Sequence, residues 1–164
     1  FSHNAREIVA NAIGRYLMDA ARLSIFRSKP LLVVIDEAHQ FLRNILLTED
    51  QSFPLDAFGL MAKEGRKYAL NVCLITQRPR DIPEDLLSQM GTMLVHRLIN
   101  QHDLSIVERA SGGAHARLAA SLPTLRTGEA IVLGVDFPLP VKLKILQPSE
   151  PPDSQGPDYQ TYWS

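Results

Sequence analysis

Apolar residues recur every three to four positions through the opening stretch, at Ile8, Ala12, Tyr16, Ala20 and Leu23. That spacing predicts a helix over residues 4 to 27, with Asn4 as its N-cap. Ser28-Lys29-Pro30 ends it, because a residue ahead of proline is pushed out of the helical region. The pattern then changes. Leu31 to Ile35 form an unbroken apolar run, as a parallel strand covered on both faces does, and residues 70 to 76 (LNVCLIT) repeat it. Glu37 to Leu42 read as the start of a short helix, and residues 43 to 53 (RNILLTEDQSF) as irregular and mobile. Pro54 suits the first turn of a helix reaching about Arg66, with Leu55, Phe58, Met61 and Ala62 on one side. QRPRDIP, residues 77 to 83, reads as a loop, residues 84 to 89 as a short helix, and residues 92 to 98 (TMLVHRL) as a third strand. A helix over 101 to 110 follows the cap residue Asn100, Gly112-Gly113 end it, and residues 114 to 120 add a short helix. Residues 129–134 and 140–146 predict an antiparallel pair. Residues 147–164 are rich in Pro, Ser and Asp and read as a tail. The alternation makes residues 1–146 one α/β unit, a mainly parallel sheet flanked by helices and closed by a C-terminal antiparallel strand pair.

Bulk properties narrow this picture only slightly. The 164 residues fit one domain, and 45% hydrophobic content is that of a globular chain. A formal charge of −1 provides no global attraction for nucleic acid, so any such contact has to be local or built by an oligomer. Cys73 is the single cysteine and sits in an apolar run, which predicts a small core residue in a reducing, cytoplasmic setting. No apolar run approaches the ~20 residues of a membrane span. The chain opens at Phe1 within a helical pattern and without a methionine, giving the expectation of a fragment of a longer polypeptide.

The candidate chemistry begins where the first strand ends. Asp36 and Glu37 follow LLVVI directly. Ligands of open parallel sheets bind beyond the carboxyl ends of the strands. An apolar strand ending in Asp-Glu has the form of a Walker B element. One acid supports Mg²⁺ on the β- and γ-phosphates, and the next accepts a proton from the attacking water or orients it. The plainer alternative is that the two acids cap the following helix. Thr76 and Gln77 end the other buried strand and emerge beside the acids if the two strands are neighbours. Gln77 there could report on the γ-phosphate or position water, and the pair could equally just bond the loop. Lys63, Arg66 and Lys67 suit a helix C-terminus, but Arg66 could instead reach a neighbouring subunit's nucleotide. Arg97, at the end of the third strand, is either another γ-phosphate ligand or half of a structural ion pair. His39 has no partners at metal-ligand spacing and reads as a helix residue. No G-x-x-x-x-G-K-[ST] occurs in the chain, so it carries a hydrolytic edge without a phosphate cradle.

IDEAHQFL, then EGRKYALNVCLITQRPRDIPEDLLSQMGTMLVHRL, then LPTLRTGEAIVLG with PLPVKLKI, resembles the HerA family in the HerA/FtsK group of P-loop ATPases over about residues 30 to 146. The resemblance implies a partial RecA-like core whose Walker A segment lies upstream, so the chain alone is not expected to hydrolyse ATP. It implies a ring, a hexamer, that uses ATP and Mg²⁺ to translocate on double-stranded DNA. A NurA-like nuclease or another effector protein would be its partner in DNA end processing or phage defence. By position, Asp36 and Glu37 match the Walker B acids and Gln77 the polar residue after the adjacent strand. Arg66 matches an arginine acting in trans, and Arg97 one in a strand-end segment. Residues 43 to 53 or 78 to 83, with Arg78 and Arg80, are candidate DNA loops. The alternatives are a conjugation or secretion motor ATPase and a non-catalytic assembly domain of the same fold.

Overall fold

The computed structural model describes residues 3–42, 45–47, 52–111, 121–135 and 137–150. In chain order the elements are α1 (His3–Arg22), β1 (Leu31–Ile35), β2 (Ile45–Leu47), β3 (Ser52–Pro54), α2 (Ala57–Glu64), β4 (Leu70–Leu74), α3 (Glu84–Leu87), β5 (Thr92–Val95), α4 (Gln101–Ala110), β6 (Glu129–Gly134) and β7 (Phe137–Lys144). β1 and β4 pair in parallel, in register from Leu31 opposite Leu70 to Ile35 opposite Leu74. Their shared inner face meets Met18 and Ala21 of α1 and Phe58 and Met61 of α2 in the first core.

The outer face of this pair is uncovered among the described residues. Side chains alternate across a strand: Val33 and Ile35 face the core, while Leu32 and Val34 are 57% and 55% exposed. Cys73 is exposed on the same side, so the expectations of a core thiol and of two-sided burial both fail. A continuous apolar run does not reveal whether a second layer is present.

α1 has the predicted period in a different phase. Its buried positions are Glu7, Gly14, Met18, Ala20 and Ala21, whereas Ile8 and Tyr16 of the expected stripe point outward, Tyr16 being 72% exposed. Close packing on α2 chooses the face. A Cβ on Gly14 would lie 2.9 Å from Ala57 Cβ. Asn11 Oδ1 then accepts the Ala57 backbone N–H at 3.0 Å, so α1 caps α2, and Arg15 pairs with Asp56 at 2.6 Å. The helix stops at Arg22 rather than 27, with Ser24 at φ 63° in the left-handed turn behind it.

Residues expected to be irregular carry a short hairpin, with Ile45 opposite Pro54 and Leu47 opposite Ser52. Pro54 thus ends a strand instead of opening a helix, as a residue without an N–H can at a sheet edge. A turn at Gly65–Tyr68 then leads into β4. A side chain at Gly65 would run into the Leu70 carbonyl oxygen.

β5 pairs antiparallel with β6, and β6 with β7. The closing group therefore has three antiparallel strands rather than two, and β5 does not extend the parallel pair. Val95, Leu104, Val107, Leu122, Ile131 and Leu133 form the second core beneath it. Gly134, at φ 143° beside a bulge, lies where any side chain would meet the Gly91 carbonyl. Asn100 caps α4 as expected, accepting from His102 N–H at 2.9 Å and Asp103 N–H at 3.4 Å. Gly112-Gly113, the expected helix at 114 to 120 and the tail from 151 lie outside the described residues. Among those described, no helix is long and apolar enough to cross a membrane.

Candidate functional site

Because β1 and β4 run parallel and in register, their carboxyl ends present Asp36-Glu37 and Thr76-Gln77 side by side. The ladder continues past both strands. Ile75 N–H donates to Ile35 O at 2.9 Å, and Ala38 N–H donates to Ile75 O at 2.9 Å. This pins the turn after β1 against the exit of β4. Within the turn Glu37 takes φ 49°, ψ 45°. An L-residue bearing a side chain there costs roughly 1–2 kcal/mol, and such outliers cluster at functional sites.

The strained turn brings Glu37 to the neighbouring strand. Gln77 Nε2 donates to Glu37 Oε1 at 3.1 Å. His39, on the short turn Ala38–Gln40, places Nδ1 3.2 Å from Thr76 Oγ1 and 3.4 Å from Glu37 Oε2. Oε2 is buried and receives no hydrogen bond, so the 3.4 Å approach is electrostatic proximity whose geometry falls short of a bond. Thr76 Oγ1 also accepts the Arg78 backbone N–H at 3.0 Å, so the threonine does fasten its loop. Glu37 makes no side-chain cap bond to the following turn. Asp36 is exposed and accepts the Glu37 N–H at 2.9 Å through Oδ1. One exposed carboxylate is the kind of protein ligand Mg²⁺ takes when phosphates and water complete its shell. Asp36 therefore fits that ion.

Asp36, Glu37, Thr76 and Gln77 thus come together, and the two arginines do not join them. Arg66 is exposed on the turn before β4, at the amino end of the parallel pair. With ~3.3 Å per strand residue, the length of the strand separates it from the acids. Arg97 is exposed beyond β5, in a shallow cleft with His96, Arg126 and Glu129. The Arg126 backbone N–H and Lys142 beside Glu129 hold its carboxyl below the usual carboxylate range. The two loop arginines have acids of their own. Arg78 pairs with Asp81 at 3.1 Å, and Arg80 with Asp103 at 3.4 Å.

Two residues gain importance that the sequence did not signal. His39 shares one nitrogen between Glu37 and Thr76. Asp103 is buried on α4 and accepts both the Arg80 backbone N–H, at 3.2 Å, and its guanidinium, fixing the loop behind Gln77. An acid beside Leu104 and Val107 on the buried face of α4 was the available clue for Asp103.

The fold is shared with solved NTPases. The genome-packaging NTPase B204 of Sulfolobus turreted icosahedral virus 2, solved with AMPPCP, superposes with a TM-score of 0.65 at 17% identity, covering 84% of this chain and 63% of that one. VirB4 of Thermoanaerobacter pseudethanolicus gives 0.55 at 16% identity, covering 76% and 34%. No protein-family profile matches the chain. Among curated relatives, a probable helicase of Methanocaldococcus jannaschii is 38% identical over 117 residues, 71% of this chain and 22% of the relative. The DNA double-strand break repair helicase HerA of Sulfolobus acidocaldarius is 32% identical over 143 residues, 84% and 28%. The HerA of Pyrococcus furiosus is 33% identical over 116 residues, 71% and 20%. The sequence is thus similar to HerA helicases over 71% to 84% of its length. It spans between 20% and 28% of the length of these relatives.

Proposed function

We propose that this segment is the hydrolytic edge of an ATP-driven, HerA-like motor acting on double-stranded DNA. The observation that carries the reading is the Gln77–Glu37 hydrogen bond, made where two parallel strands end and next to the exposed Asp36. In this reading Glu37 orients the attacking water and accepts its proton. Gln77 reports the presence of the γ-phosphate, and Thr76 lines the nucleotide. Asp36 holds Mg²⁺, which when bound neutralises charge on the phosphates.

The sequence has no phosphate cradle, so another segment of the full-length protein supplies it, and residues 1–164 alone do not turn over ATP. Residues 1–146 are the later part of the ATPase unit and 147–164 a tail. Arg66, at the far edge from Glu37, is assigned to a neighbouring subunit's nucleotide in a ring, which we take to be a hexamer. Arg97 is a second candidate for that role. The loop at residues 78–83 is a candidate DNA contact, with Arg78 paired to Asp81 and Arg80 to Asp103 in this arrangement. A NurA-like nuclease or another effector is the partner class this reading implies.

The test is ATP turnover by the full-length protein, with and without double-stranded DNA, wild type beside Glu37→Gln. The expected outcome is DNA-stimulated turnover that falls by roughly 10²–10⁴ in the variant while ATP binding is retained. Turnover surviving near the wild-type level would remove Glu37 from the role.

A further inference from the structure

The Glu37 carboxylate is held at one oxygen and only approached at the other. Oε1 receives the Gln77 amide at 3.1 Å. Oε2 is buried without a hydrogen bond, a state that costs about 1–3 kcal/mol when nothing relieves it. His39 is within reach. Its side chain is only 14% exposed, and its Nδ1 stands 3.4 Å from Oε2. The same nitrogen lies 3.2 Å from Thr76 Oγ1. Thr76 is fixed in turn by the Arg78 N–H. One imidazole nitrogen therefore sits between the acid leaving β1 and the hydroxyl leaving β4. A small rotation of ring or carboxylate converts the approach to Oε2 into a hydrogen bond.

We propose that His39 is a positioning residue for Glu37, its Nδ1 fastening the second carboxylate oxygen against Thr76. The inference rests on the reading of Glu37 as the group that activates water. Gripped from both sides, the carboxylate cannot swing, and the water it addresses has one place to sit. Such placement acts on the chemical step. The role proposed for His39 is confined to the chemical step, and binding of the nucleotide is assigned to other groups.

The test compares steady-state ATP hydrolysis by the full-length protein carrying His39→Ala, His39→Asn or His39→Gln, beside wild type and Glu37→Gln. Asparagine presents a nitrogen near the place of Nδ1, and glutamine presents one near Nε2. The expected result is a kcat lower by about 10- to 100-fold for His39→Ala, with KM for ATP unchanged. Asparagine recovers most of that loss and glutamine does not. If the alanine variant fails to fold, the comparison of asparagine with glutamine decides. A flat series, a change in KM alone, or equal rescue by both amides overturns the proposal. A flat His39 series with an inactive Glu37→Gln overturns it and spares the reading of Glu37. A Glu37→Gln variant as active as wild type removes both.

Discussion

Gln77 and Glu37 meet across the carboxyl ends of two adjacent strands, the amide donating to Oε1 at 3.1 Å. In the proposed site this bond orients the carboxylate that addresses water, so the amide and the carboxylate work as one unit. Gln77→Ala is expected to lower the single-turnover rate of ATP hydrolysis by about 100-fold, the scale for losing one fixed donor at a reacting centre. Gln77→Glu places a second carboxylate against the first and is expected to be less active still. Equal activity of wild type and Gln77→Glu would show that the contact has no part in turnover.

Asp103 ties the loop behind Gln77 to α4 through the backbone and guanidinium of Arg80. Removing a buried acceptor from such a network costs about 1–3 kcal/mol, with Arg80 partly exposed and able to rehydrate. Asp103→Ala should lower the urea midpoint accordingly. Arg80→Ala in the same background should add little, since the two share one interaction. Fully additive effects would mean that the pair is not coupled.

The turn before β4 offers two backbone changes of opposite sign. Gly65→Ala forces a methyl against the Leu70 carbonyl and is expected to destabilise by about 1–3 kcal/mol. Ala69, at φ 58°, occupies the left-handed region that glycine prefers. Ala69→Gly is expected to stabilise by about 1 kcal/mol. Denaturant unfolding of both variants checks the signs.

Glu129 carries a pH dependence. The Arg126 N–H reaches its Oε2 at 2.7 Å and Lys142 approaches at 3.0 Å, and together they lower its pKa on folding. A lowered carboxylate stabilises the fold above its ordinary value and loses that contribution as pH falls through the lowered one. The stability advantage of wild type over Glu129→Gln is thus expected to be constant above pH 4.5 and to shrink below it. An advantage that grows in acid would contradict the assignment.

The pairing of the acids with Gln77 was legible because it depends only on where two apolar runs end and on those runs being adjacent. Allegiances set by distant residues were not legible. β5 has the composition of the other strands, but its partner, β6, begins at Glu129, and nothing local to Thr92–Val95 says that the pairing is antiparallel. In α1, Ile8 and Tyr16 carry more side-chain surface than Gly14 and Ala21, yet close approach to Ala57 demands a residue without a side chain at Gly14. The antiparallel pairing of Ile45–Leu47 with Ser52–Pro54 was hidden by the shortness of its two apolar runs. His39 could be seen only once the turn at Glu37 had folded the carboxylate back beside it.

The outer side of β1 and β4 governs how this segment behaves as a colloid. Leu32, Val34 and Ile75 make a hydrocarbon ribbon there, with the Cys73 thiol among them. Any apolar surface laid on the ribbon removes it from water. The solubility of residues 1–164 on their own therefore measures what covers that sheet, and it carries no information about the chemistry at the strand ends.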